Sequence, residues 1–341
     1  MIITFNPKVF VKEQVEILAQ IFVLLLKNKD RHFVEVKGIR TENERYIFQS
    51  PLFQTEIAPK HIEELIKHIP QQRRNITSLH QKYLTRIVIG LDNNEVLPQN
   101  ALRILQERSK IIIENRINDW KFLKGVCDKY TSSPKRKSIY LLIQKAIKEQ
   151  WIESDTGGGD GQIKPVIKYL ISSVAYKGIE KYKLMTLFDS DRQLSNLNKL
   201  DSTKIPLVSF LKTGSEENIP NLTFNDCVYE STDLIIWHIL YKRKLENYVP
   251  LNVLFNNIHS LTEKQKQDLQ ELSYQELDFL EYSTQNIGLG KDKRKDQFPE
   301  MFLEGFGYTD FERICAHHKV AFEGEEISEM EQILLKIAKI I

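Results

Sequence analysis

Lys110-Ile111-Ile112-Ile113-Glu114-Asn115-Arg116-Ile117-Asn118-Asp119-Trp120 is the stretch on which the fold turns. A short β-branched apolar run stops at a carboxylate, passes through a polar turn and enters an amphipathic segment carrying Trp120, Phe122, Leu123 and Val126. An unbroken isoleucine run of this length predicts a strand buried on both faces, as in a parallel sheet covered by helices. Ligands of open parallel sheets gather at the carboxyl ends of the strands, and Glu114 falls at such an end. A second apolar run, Tyr182-Lys183-Leu184-Met185-Thr186-Leu187-Phe188, ends in Asp189-Ser190-Asp191-Arg192. Two strands that both end in acid would bring three carboxylates to one sheet edge.

Working outward, the alternation continues. Helices are expected over about 118–130, 137–149 and 162–174, with a short strand at Trp151-Ile152-Glu153-Ser154 followed by Gly157-Gly158-Gly159-Asp160-Gly161. Residues 205–210 and 234–240 read as two further strands. Strands separated by helical segments define βαβ units and a mainly parallel sheet. Upstream lies an α+β unit, residues 1–109: helices over 11–28 and 58–69 (the latter closed by Pro70), strands at 32–36, 45–48 and 83–91, and a helix from Pro98 to about Arg108. Downstream of the central unit (110–260), residues 261–341 form a helical C-terminal region, with amphipathic stretches at 262–283 and 327–341 that could cover the sheet or bind a partner.

Composition excludes several classes. The chain of 341 residues carries 48 Lys and Arg against 46 Asp and Glu, so it is no polycation, and any nucleic-acid contact must come from local patches. Cys127, Cys227 and Cys315 form no CxxC pair, which suits a reducing compartment and provides no disulfide or zinc framework. The longest apolar stretch, Ile17 to Leu26, is too short to span a bilayer and lacks the marks of a signal peptide. A cytoplasmic protein without membrane contact is expected.

Glu114 at the end of the first strand, the glycine-rich turn after the second and Asp189-x-Asp191 after the third resemble the three marks of the Toprim domain. The continuation Tyr241-Lys242-Arg243-Lys244-Leu245-Glu246-Asn247-Tyr248 is similar to the basic segment of the branch found in overcoming-lysogenization-defect (OLD) nucleases, including standalone versions that work beside an ATPase. The resemblance covers about 110–250. Where the family has glycine after its glutamate this chain has Asn115, and where the family places its next acid this chain has Asn118, with Asp119 one residue later. The resemblance implies a Toprim-like fold, an Mg²⁺- or Mn²⁺-dependent endonuclease of DNA in preference to RNA, a role in antiviral defence, and a separate ATPase subunit. The oligomeric state is left open.

The chemistry is consistent with that implication. Asp189 and Asp191 share a face of an extended backbone, and anionic oxygen donors select Mg²⁺ or Mn²⁺ over zinc. Glu114 could be ligand or general acid–base, and Asp119 a further ligand. Lys242 and Lys244, with Arg243, could meet phosphates, and Glu246 could complete a second metal position. Each has a plainer alternative: Asp-x-Asp as a turn or cap, the glycines as a tight turn, the lysines as a solvated charge run, Glu246 as an ion-pair partner. The turn lacks the Gly-Lys-Ser/Thr ending of a P-loop. Basic clusters at 135–137 and 291–295 could track a nucleic-acid backbone. His61, His68 and His80 lie among charged residues without companion ligands, and Cys315-Ala316-His317-His318 has no further ligand near it in sequence, so zinc is not expected at either place. The rival readings are a non-catalytic scaffold of the same fold, or a Toprim enzyme that primes or passes strands.

Overall fold

The computed structural model describes residues 1–35, 58–75, 80–156, 158–282 and 297–341. It is an α/β protein built on two parallel sheets. The four-stranded sheet consists of β4 (Ser109–Ile113), β5 (Ile152–Thr156), β6 (Leu184–Phe188) and β7 (Ile236–Ile239), in the order β5-β4-β6-β7 and parallel throughout. The isoleucine run explains its own burial. Ile111 and Ile113 pack into a core with α4 (Asn118–Tyr130), α5 (Lys137–Lys148) and the last helix, α13 (Glu329–Lys339), on one face. Ile112 points to the other, packing with α6 (Asp160–Ser172) and α8 (Ile205–Thr213). Each of the three isoleucines is at most 1% exposed, worth about 1.5–3 kcal/mol apiece in apolar burial.

Two segments differ from the sequence expectation. Residues 205–210 lie in helix α8, not in a strand: Pro206 occupies its first turn and Gly214, at φ +70°, ends it. A short, fully buried apolar run has no period that separates helix from strand, whereas Pro at the start and Gly after the end are helix punctuation. Tyr182 and Lys183 belong to the one-turn helix α7 (Glu180–Lys183), so β6 starts at Leu184.

The N-terminal unit is itself α/β. Strand β1 (Ile2–Phe5) lies between β2 (Phe33–Val34) and β3 (Arg86–Ile89), parallel to both, with α1 (Val15–Lys27) and α3 (Pro98–Gln106) packed nearby. Helix α2 (Ala58–Asn75) runs through Pro70, which lies exposed while Leu65 and Ile69 are buried. The expected strand at 45–48 lies outside the described residues. The C-terminal region is helical, with α9 (Leu251–Asn257) leading into α10 (Glu263–Gln270), α11 (Tyr274–Asp278) and α12 (Tyr308–Ile314), apart from an antiparallel hairpin, β8 (Lys319–Phe322) and β9 (Glu325–Ser328). Its helix α13 shares the core of the four-stranded sheet, so the central and C-terminal regions bury their apolar faces together. Among the described residues no helix is long and apolar enough to cross a membrane.

One close approach fixes the C-terminal region against α4. A Cβ added to Gly125 would stand 2.2 Å from the carbonyl oxygen of Phe302, so the helix needs glycine there. Gly125→Ala gains about 0.4–1 kcal/mol in the unfolded-chain term but forces a backbone shift costing about 1–3 kcal/mol, and net destabilisation is expected in denaturant melts. Gly161→Ala, whose Cβ would meet nothing within 4 Å, is expected to be neutral or stabilising in the same assay. Equal effects from the two would refute the packing account.

Candidate functional site

Strands β4 and β6 are neighbours, so their carboxyl ends deliver Glu114 and Asp189 side by side: the Asp189 N–H donates to Glu114 Oε1 at 3.3 Å. Past the strand the chain turns sharply, with Asp191 at φ +53° and its N–H donating to the Arg243 carbonyl at 3.0 Å. The Leu245 N–H donates to Asp189 Oδ1 at 3.2 Å, bringing the segment after β7 against the same acids. The cavity at this edge, about 560 Å³, is lined by Glu114, Asp119, Asp189, Lys244, Glu246 and the glycine turn. Phe298, Pro299 and Phe302 of the C-terminal region form its apolar wall. The expected convergence of Glu114, Asp189 and Asp191 at one sheet edge is therefore what the structure places.

Lys204, which nothing in the sequence singled out, is fully buried, its Nζ 3.2 Å from Glu114 Oε1 and 3.1 Å from Asp191 Oδ2. Lys244 Nζ lies 3.3 Å from Asp191 Oδ1. Burial depresses the Lys244 ammonium, but the carboxylates of Asp191, Asp189, Glu246 and Glu281 outweigh it and hold the pKa above its ordinary value. Burial, then repulsion from Glu114, Glu246, Asp119 and Asp191, pushes the Asp189 carboxyl well above the ordinary carboxylate range.

Asp119 reaches the cavity from the first turn of α4, and its position has a local cause. Asn115 Oδ1 accepts from the N–H groups of Ile117 and Asn118, at 3.0 and 3.1 Å, while Asp119 Oδ2 accepts from the Asn115 N–H at 2.8 Å. The pair caps the helix reciprocally, and this fixes the acid at 119. Gly158 and Gly159 have φ of +74° and +120°, a backbone that suits glycine alone. Thr156 joins this turn to the acids: its hydroxyl donates to the Glu114 carbonyl at 3.0 Å and accepts from the Gly158 N–H at 3.1 Å.

Other predicted residues are placed elsewhere. Lys242 is buried and turned away from the cavity, its Nζ 2.6 Å from Asp278 Oδ1 and 3.2 Å from the Asn247 carbonyl. The irregular backbone of 241–248 sends Lys242 and Lys244 to different neighbours. In the basic cluster 135–137, Arg136 is buried in ion pairs with Glu331 and Glu325, which removes it from any nucleic-acid surface. The cluster 291–295 lies outside the described residues, as does Gly157.

The acids fit a hard cation in donor chemistry: the donors are anionic oxygens, and their mutual repulsion helps raise the Asp189 pKa. They are not a tight all-protein cage. Among the described residues only Asp278, His317 and His318 bring three ligand atoms within 4.8 Å of one another. At the acidic edge Lys204 stands between Glu114 and Asp191. Mg²⁺ tolerates this, since it usually keeps several waters and uses one or two carboxylates together with substrate phosphate. Comparison of the chain with family models, curated proteins and solved structures returned no match.

The raised Asp189 pKa gives a signed expectation. The folded chain holds that proton more tightly than the unfolded chain, whose aspartate titrates near 3.8. Stability is therefore lost as pH rises from there through the folded-state pKa. Asp189→Asn removes the loss, so in EDTA its melting temperature should match wild type at acid pH and exceed it increasingly toward neutrality. A gap that stays constant with pH would show that charge crowding is not the cause.

Proposed function

We propose that the protein is a metal-dependent nuclease cleaving phosphodiester bonds of DNA in preference to RNA. The observation that carries the reading is the cavity that Glu114, Asp189, Glu246 and Lys244 line at the carboxyl edge of a parallel sheet, with Asp191 beside it, joined to Glu114 through Lys204 and to Lys244 directly. Glu114 and Asp189, with Asp191 and Glu246, would hold Mg²⁺ or Mn²⁺. Bound there, such an ion supplies Lewis-acid polarisation of a phosphate and a more acidic water.

The chain's own residues have separate tasks. Lys244, half-buried at the cavity, offers a positive charge to a phosphate oxygen. Lys204, held between Glu114 and Asp191, fixes the direction in which Glu114 presents its carboxylate. Glu114 can accept the proton of an attacking water. Attack on phosphorus forms one P–O bond and breaks another, leaving a phosphomonoester and an alcohol. Phe298 and Phe302 shield one side of the cavity from water, which strengthens the electrostatic interactions inside it.

Control by a separate ATPase subunit, and a place in antiviral defence, rest on the resemblance to the OLD-type Toprim proteins. The alternative is a scaffold that keeps the fold without catalysis, and one observation favours it: Lys204 already bridges two of the acids.

Cleavage of plasmid and linear DNA in Mg²⁺ or Mn²⁺, with and without a co-purified ATPase partner, separates the two. Asp189→Asn and Glu114→Gln should each lower cleavage at least about 100-fold while the protein stays folded, because each removes an anionic donor but nearly keeps its volume. Variants that cleave like wild type would sink the assignment of these acids. A wild-type protein silent with every metal and with the partner would favour the scaffold.

A further inference from the structure

Asp278, His317 and His318 converge away from the acidic cavity. Asp278 ends α11 and is 2% exposed; His317 and His318 occupy the turn between α12 and β8. Both imidazoles aim the same nitrogen at the same oxygen: Nε2 of His317 lies 2.6 Å, and Nε2 of His318 2.7 Å, from Asp278 Oδ2. Adjacent residues in an extended chain would point to opposite sides, yet in this turn the two rings lie side by side, tilted at 54° with centroids 3.9 Å apart. Hydrogen bonding alone gives little reason for this. Asp278 already has the Lys242 ammonium on Oδ1 at 2.6 Å, and the His317 side chain, 35% exposed, could be satisfied by water.

We propose that Asp278, His317 and His318 form a second cation site, selective for a borderline divalent transition ion such as Zn²⁺, that clamps the 241–248 segment from outside. Two imidazoles and one carboxylate suit zinc, whereas the all-carboxylate cavity suits Mg²⁺. Zinc bonds of about 2.0–2.1 Å in tetrahedral geometry separate ligand atoms by about 3.3 Å, so the two Nε2–Oδ2 pairs need to open by only about 0.7 Å. Three protein ligands leave a fourth position for water. Access is available, because the cluster lies between a cavity of about 500 Å³ that Asp278 lines and one of about 480 Å³ that His317 and His318 line.

The position gives the ion a task. Asp278 holds the Lys242 ammonium, and its carbonyl accepts the Arg243 N–H at 2.9 Å. Asn247 Nδ2 donates to the carbonyls of Leu277 and Leu280 at 2.8 and 3.0 Å. Fixing Asp278 to the 317–318 turn therefore fixes the segment that carries Lys244 and Glu246 into the acidic cavity. The three ligands are positioning residues for that cavity, and none of them lines it.

The site is tested on the full chain, stripped with chelator and titrated with Zn²⁺ by calorimetry and with Co²⁺ by visible absorption. Wild type should bind one Zn²⁺ per chain, show a cobalt ligand-field band and melt at a higher temperature with zinc. His317→Ala, exposed and so tolerated by the fold, should weaken Zn²⁺ binding at least about 10-fold and lose the band; Asp278→Asn should do the same or more. Glu114→Gln combined with Asp189→Asn should keep zinc binding intact, which separates this site from the nuclease reading. Zinc binding lost in the acidic-cavity variant but kept in His317→Ala would overturn the proposal, as would a wild-type chain that binds no zinc.

Discussion

Crowding of like charge at the carboxyl edge of β4 and β6 is the constraint that the rest of the structure serves. Parallel pairing delivers Glu114 and Asp189 together, and Asp119, Asp191 and Glu246 are near enough for each to raise the Asp189 pKa. Left alone, such a cluster would open toward water. Lys204 prevents this from beneath, fully buried and in contact with two of the acids. Backbone N–H groups of Asp189 and Leu245 act from the side, each donating to a carboxylate. The buried aliphatic sheet below supplies rigidity, because its isoleucines are locked between helices on both faces.

The upper wall depends on α13, remote in sequence. Glu329, 2% exposed, accepts from the Tyr241 N–H at 2.6 Å, pairs with His238 Nε2 at 2.9 Å and takes the Tyr248 hydroxyl. Burial alone would raise its pKa, but His238, Tyr248 and the Tyr241 amide outweigh burial and hold it below the ordinary value. Glu329 thus stays charged and grips both ends of 241–248. Arg243 adds a tie to Glu281 at 2.6 Å and to the Arg192 carbonyl at 3.0 Å. The C-terminal region is therefore part of the cavity's frame, as its Phe298 and Phe302 also show.

What was legible in the sequence followed from backbone regularity. A β-branched run ending in acid specifies a strand, its burial and the edge where its last side chain falls, so Glu114 and Asp189 could be read directly. Segments without a period were not legible. Residues 205–211 are apolar at every position but Ser209, and only Pro206 and Gly214 mark the helix. The short β1 is visible only through its pairing with β2 and β3. Lys204 reaches the acids from a loop sixteen residues past the end of β6, which no spacing rule connects to Glu114. Lys242 and Lys244 lie two apart, yet the turn between them sends one to Asp278 and the other to Asp191. The His317–His318 pair lacked a companion in sequence because Asp278 arrives from 39 residues upstream.

The cap of α4 acts on the same charges. Among the described residues, Glu114, Asp119, Asp189 and Glu246 line the cavity with Lys244 and Arg116, and Lys204 joins Glu114 to Asp191 beside it. Burial and the neighbouring acids favour the neutral form of Asp189, the acid whose pKa they raise. The N-terminus of α4, capped by Asn115 and Asp119, adds the positive end of a helix dipole to the same edge. That field favours the carboxylates but is too weak to replace an ion, since a helix end is equivalent to roughly half a unit charge. Crowding and the helix end therefore act on Asp189 in opposite senses, the neighbouring acids against its ionisation and the dipole in favour of it.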